Sequence, residues 1–151
     1  RAHRRADNGI EFDNLDGSKH YEPWNAYGVS KLANALCARE LAARISHTEA
    51  TSNSVHPGVI ATGLLKHLSV WEQWGAKYFG WAFLKTIPEG AATSCYVATC
   101  PELVDVRGFY FADCNVEKDV SPYMQDDAMA SKLWEVSEEL TRDYLPANQR
   151  A

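Results

Sequence analysis

The hydrophobic period of this 151-residue chain switches repeatedly, and the order of the switches constrains the fold more than composition does. From Pro23 to about Ser46 apolar residues recur at helical spacing, with proline at the start, where its missing N–H leaves no hydrogen bond unmade. Asn53 to His56 reads as a short strand ended by Pro57-Gly58. Its own signal is modest; it is assigned because the preceding helix needs a return strand. Pro88-Glu89-Gly90 opens another helix to about Thr99, and Pro101 stops it. Gly108 to Ala112 alternates aromatic and small residues as a strand does. A last amphipathic helix spans about Asp127 to Tyr144 through Met129, Leu133, Trp134, Val136 and Leu140. Helix, strand, helix, strand predicts an α/β protein with a parallel sheet and helices on its faces. Residues 1–20 are polar, carry Asn8-Gly9 and Asp16-Gly17 as turn signals, and read as a loop. Within it Arg1, His3, Arg4 and Arg5 read as a solvated end.

Composition narrows the classes. The length is one domain's worth, and 46% hydrophobic residues are enough for a sizeable core. A net charge of −5 argues against nucleic acid or an anionic membrane as the default partner. Cys37, Cys95, Cys100 and Cys114 show no C-x-x-C spacing and no zinc-ligand cluster, so reduced, buried thiols and a cytoplasmic location are expected. No apolar run is long enough for a transmembrane helix.

Tyr27 and Lys31 stand four residues apart in Asn25-Ala26-Tyr27-Gly28-Val29-Ser30-Lys31-Leu32-Ala33-Asn34. On a helix such a pair shares a face, so a phenol is placed beside an ammonium. Tyrosine in water ionises near pH ~10, too high for acid–base work at neutrality. A nearby cation favours the phenolate, and a phenol so tuned exchanges a proton with an alcohol or carbonyl oxygen. The spacing alone is also that of a core-edge tyrosine followed by a solvated lysine. Tyr27, Lys31, Asn34 and Ala38 form one stripe, with Val29, Leu32 and Leu36 on the opposite side and Arg39, Glu40 and Arg44 between. Apolar residues on two flanks suggest a helix covered on both sides, by a sheet and by a partner subunit.

Downstream lies Asn53-Ser54-Val55-His56-Pro57-Gly58-Val59-Ile60-Ala61-Thr62-Gly63. Together A-Y-G-V-S-K-L-A-N and H-P-G-V-I-A-T resemble the short-chain dehydrogenase/reductase superfamily. Ile10-Glu11-Phe12-Asp13-Asn14-Leu15, Pro88-Glu89-Gly90-Ala91-Ala92-Thr93-Ser94 and Gly108-Phe109-Tyr110-Phe111-Ala112-Asp113 narrow the match. These look like the retinol-dehydrogenase-like branch, which includes the oxidoreductase domain of WW-domain-containing oxidoreductases. The resemblance runs from the first residues to about Leu140.

It implies a doubly wound, Rossmann-like parallel sheet, of which residues 1–151 supply the C-terminal catalytic half with its last two strands. It implies an oxidoreductase that moves a hydride between NADP, or NAD, and a hydrophobic alcohol, aldehyde or ketone. Tyr27 would be the proton donor or acceptor, and Lys31 would tune it and bind the nicotinamide ribose. Pro57, Gly58, main chain at Val59 and the Thr62 hydroxyl would hold the nicotinamide carboxamide; otherwise they are a strand-to-helix turn with Thr62 as an N-cap. A homodimer through the Tyr27 helix is a further implication. His56 is assigned no role, Asn34 a structural hydrogen bond, and Ser30 points away from Tyr27.

The family's catalytic serine, its relay asparagine and its glycine-rich phosphate turn lie upstream of the matched segments, and no G-x-G-x-x-G occurs in these residues. The expectation is a fragment inactive by itself, since a two-stranded parallel sheet is also a poor independent structure. A different class remains beside it: a catalytically silent interaction module that binds a partner through its apolar helix face. From Val70 to Ile87 the chain carries Trp71, Trp74, Tyr78, Phe79, Trp81 and Phe83, with Lys77 and Lys85 as its cations. Three readings apply in order: a helix packed on its own domain, a lid over an apolar substrate, and a helix lying on a membrane surface, which is not favoured.

Overall fold

In the computed structural model the described residues are 2–60 and 84–144. Thr62 and the aromatic stretch 70–83 lie outside them. The helices are α1 (Pro23–Arg44), α2 (Ile87–Thr99) and α3 (Asp127–Thr141), and the strands are β1 (Ser54–His56), β2 (Tyr110–Ala112) and β3 (Asn115–Val116). The chain divides into two compact units, one of Arg1–Ser54, Val106–Phe109 and Lys118–Ala151, the other of Val55–Asp105 and Tyr110–Glu117.

In the first unit α1 starts where the sequence places it. Pro23 takes the first helical position, and the Glu22 carboxylate accepts the N–H groups of Trp24 and Asn25. Those bonds, Asn25 first, hold the Glu22 carboxyl below its ordinary range. At the other end the Arg107 guanidinium donates to the Ser46 and Thr48 carbonyls at 3.3 and 3.4 Å. One face of α1 is dry: Leu32 and Leu36 are 0% exposed, with Gly28, Ala35 and Ala42 around them. That face packs on α3, which buries Ala130 and Leu133, and on the short 3-10 turns Ala2–Arg5 and Pro122–Gln125. The dry face of α1 is thus covered by α3 and the chain's own first residues.

Those first residues are not the free loop that their polarity predicts. Ala2–Arg5 forms a 3-10 turn, and His3, Ala6 and Ile10 are buried. The reason is Gly28: a Cβ there would come within 2.9 Å of Ala2 O and of the Arg5 backbone, so the missing side chain makes room for the turn. Nor is the basic cluster merely solvated, because Arg4 pairs with Asp119 and the Arg5 guanidinium lies 4.7 Å from the Trp24 ring centre.

The sheet has three strands in the order β1-β2-β3 and is mixed rather than a purely parallel pair. Leading into the β1–β2 pair, Gly108 N–H donates to Ser52 O and Ser54 N–H to Phe109 O, so both strands advance the same way. Asn53 reinforces this start, with its amide donating to Val106 O at 2.8 Å and its carbonyl accepting from Phe109 N–H at 3.0 Å. β3 returns antiparallel, with Phe111 opposite Val116 and Ala112 opposite Asn115. Two residues carry too little pattern to announce a strand. In the second unit Phe111, 1% exposed, and Ala112 are buried on the two faces of β2, which packs against α2. α2 opens on a reciprocal capping box between Thr86 and Glu89. The four cysteines are free, yet none is fully buried as expected: Cys95 is exposed, and the others are half-buried. Burial raises the Cys37 thiol.

Candidate functional site

Tyr27 and Lys31 lie on the face of α1 that the core leaves open. Tyr27 is 45% exposed, and Lys31 is exposed beside it. The Lys31 ammonium stands 5.5 Å from the centre of the Tyr27 ring, so the spacing of the sequence becomes a real juxtaposition. Trp24 meets the same ring edge-on at 6.5 Å and 79°. With Arg5 over Trp24, cation and aromatic alternate along one strip: Arg5, Trp24, Tyr27, Lys31. Trp24 is not among the residues read from the sequence, although its i−3 spacing from Tyr27 is a signal for this contact. Arg5 has no such signal, because only the turn seated on Gly28 brings it there. Ser30 donates to the Tyr27 carbonyl at 2.8 Å, which ties its hydroxyl to the helix backbone. Asn34 is exposed on the same stripe.

A cleft of about 310 Å³ runs along another face of α1, lined in part by Asn14, His20, Tyr21, Asn25, Val29 and Ser30. Val29, expected to sit with Leu32 and Leu36, belongs to this wall. Asn14 shapes the opposite bank by donating to His20 O and accepting from Lys19 N–H, both at 2.9 Å. The buried Asn25 Oδ1 has no hydrogen-bond partner among the described residues.

Pro57, Gly58 and Val59 come together in the second unit as a turn after β1. Gly58 has φ +85°, a left-handed backbone that favours glycine. Val59 is 59% exposed, while its carbonyl accepts the Lys85 N–H at 2.8 Å. The Lys85 side chain crosses Gly58, where an added Cβ would fall 2.6 Å from Lys85 Cδ, and its ammonium pairs with Asp113. Neither Lys85 nor Asp113 was legible as a neighbour of this turn. His56 stacks on Tyr110 at 6.4 Å and 15°.

For a nicotinamide cofactor the donor set fits in part. An exposed phenol and ammonium share a helix face, and an exposed turn carries a left-handed glycine. Among the described residues no cluster of three or more His, Cys, Asp or Glu could hold a metal ion, and no helix is long and apolar enough to cross a membrane.

No family model matches the chain. Human retinol dehydrogenase 14 is 42% identical over 131 residues, which is 85% of this chain and 39% of that protein. The chloroplastic short-chain dehydrogenase TIC 32 A of Brassica napus is 44% identical over 142 residues, 91% of this chain and 43% of that protein. Human retinol dehydrogenase 12 is 40% identical over 135 residues, 87% of this chain and 40% of that protein. The chain therefore spans about two fifths of the length of these relatives. Over most of its own length it is related to the retinol-dehydrogenase-like short-chain dehydrogenases.

Proposed function

We propose that this chain is the C-terminal catalytic part of an NAD(P)-dependent oxidoreductase acting on a hydrophobic alcohol, aldehyde or ketone. The rest of a doubly wound, Rossmann-like sheet would come from outside these residues. One observation carries the reading: an exposed tyrosine with a lysine ammonium 5.5 Å from its ring, on one helix face of a chain related to retinol dehydrogenases. A bound nicotinamide would supply the hydride in reduction and accept it in oxidation. The Tyr27 hydroxyl gives a proton to the developing alkoxide, or takes one from the alcohol in the oxidation direction. Lys31 keeps positive charge beside that ring and donates to the nicotinamide ribose. Pro57, Gly58, Val59 and Thr62 would hold the carboxamide end. The glycine-rich element that usually binds the pyrophosphate at a helix N-terminus is not in this sequence, so residues 1–151 alone should bind NADPH weakly and turn over no substrate.

The test is a full-length protein containing this chain, assayed with NADPH or NADH and medium-chain aldehydes or retinoids. Tyr27→Phe removes only the hydroxyl and should lower turnover by ~10²–10⁴-fold, with cofactor affinity nearly unchanged. Lys31→Ala should also weaken cofactor binding. Lys31→Arg should restore it incompletely, because a planar guanidinium presents its donors differently. Retention of more than about a tenth of the activity in Tyr27→Phe, far above the loss expected of a general acid, would remove Tyr27 from the mechanism.

A further inference from the structure

The second unit holds a construction that the assignments above leave unused. The turn Asp113-Cys114 closes the β2–β3 hairpin with φ +52° and +57°, two successive left-handed residues, neither of them glycine. Two such residues make the primed turn that suits hairpin twist, and Asp tolerates the conformation, but cysteine is not a residue chosen for it. The turn is fixed from both sides. Cys114 N–H donates to Oγ1 of the buried Thr93 at 3.2 Å, and the Asn115 amide donates to Asp113 O at 2.7 Å. A turn held this firmly also fixes where its first side chain is presented. Here that side chain is the Asp113 carboxylate, which meets the Lys85 ammonium.

Lys85 is fixed at three places. Its N–H donates to Val59 O, its stem fills the space that a side chain at Gly58 would take, and its ammonium is held by Asp113. The ammonium is therefore engaged rather than offered to a ligand, while main chain and stem both bear on the Pro57–Gly58–Val59 turn. We propose that Lys85, locked by Asp113 on the β2–β3 turn, is a positioning residue that braces the Pro57–Gly58–Val59 turn in the shape needed to receive the nicotinamide end of the cofactor. The proposal rests on the oxidoreductase reading for what the turn receives, and on the observed geometry for the brace itself.

The experiment uses Lys85→Met, which keeps an apolar stem and removes the charge, with Asp113→Asn and the double variant, in the full-length protein. Hydrogen exchange at the amide of position 85, which bonds Val59 O, should become at least about tenfold faster in each single variant, as local opening is eased. The Michaelis constant for the nicotinamide cofactor should rise on the order of tenfold, with kcat within about twofold, as expected when binding alone is lost. The double variant should be no worse than either single one, because the two side chains act as one unit. Unchanged exchange in Lys85→Met would overturn the brace. Faster exchange with an unchanged cofactor Michaelis constant would overturn the positioning role and leave only a structural pair. Additive losses in the double variant would overturn the coupling through Asp113. Wild-type protein with no nicotinamide-dependent turnover would remove the oxidoreductase reading and the positioning role together. Normal turnover that is lost in Tyr27→Phe, with Lys85→Met unaffected, would remove this proposal alone.

Discussion

The first unit and the second carry their candidate chemistry in opposite ways. On α1 the two candidate side chains stand on the open face of a regular helix whose opposite face is sealed by Leu32 and Leu36. Their geometry follows from helical spacing, so chemistry and stability reside on different residues. Around Gly58 there is no such separation. The turn has its shape because Gly58 is left-handed, Lys85 lies across it, and Asp113 holds Lys85. There the backbone itself is the candidate contact, and a change that alters chemistry also alters local structure. Substitution on the open helix face should therefore spare the fold, whereas substitution in the shaped turn should not.

The largest expected effects test this contrast directly. Tyr27→Phe should lower turnover by ~10²–10⁴-fold and leave the unfolding midpoint within experimental error. Leu36→Ala should do the reverse, destabilising by about 2–5 kcal/mol through the cavity left in a fully dry site, with kcat retained in the folded fraction. Urea unfolding monitored by tryptophan fluorescence, beside steady-state kinetics, separates the two. If Tyr27→Phe proved as destabilising as Leu36→Ala, the open face of α1 would be structural after all. Next in size is Gly58→Ala. A left-handed alanine costs about 1–2 kcal/mol, and its Cβ would also displace the Lys85 stem. Both stability and cofactor binding should fall together, which is the signature expected of the second region and not of the first. Binding unchanged at reduced stability would break the comparison.

What could be read from the residues follows the same division. The Tyr27–Lys31 pair was legible because an i, i+4 spacing on a half-exposed helix fixes a neighbour with no knowledge of tertiary structure. The start of α1 was legible in Pro23, and the parallel course of β1 and β2 in the order of their periods. β3 was not, since a two-residue strand has no period to detect. The burial of His3, Ala6 and Ile10 was not either, because it depends on an absent side chain at Gly28, whose effect is visible only once the chain folds back. Lys85 and Asp113 are 28 residues apart in sequence, and only the folded chain brings them together. Within the site, side-chain chemistry on a regular element was readable, and backbone shape set by distant partners was not. The lysine's seat also carried detail beyond spacing: its ammonium lies over the Tyr27 ring, in series with Trp24 and Arg5.

The smallest expected effect concerns what joins α1 to α3. Arg39 Nε donates to Asp127 Oδ1 at 2.6 Å, the one ion pair between these helices among the described residues, and Asp127 is 79% exposed. The guanidinium holds the Asp127 carboxyl below its ordinary range, first through the hydrogen bond and then through charge. Because the folded value is depressed, the stabilisation is present above the unfolded value near 3.8 and disappears as pH falls through the folded one. Exposure to solvent screens the pair, so Arg39→Met should destabilise by only about 0.2–1 kcal/mol at neutral pH, and less in high salt. Asp127 also sits in the first turn of α3, where a carboxylate is favoured by the helix dipole with or without Arg39. Part of its benefit should therefore survive the substitution. Unfolding curves of the two proteins should separate slightly at pH 7 and converge as pH falls below 3.8 and through the depressed folded value of Asp127. A loss as large as that of Leu36→Ala would mean that charge, rather than the dry face of Leu32, Leu36 and Leu133, fastens the two helices.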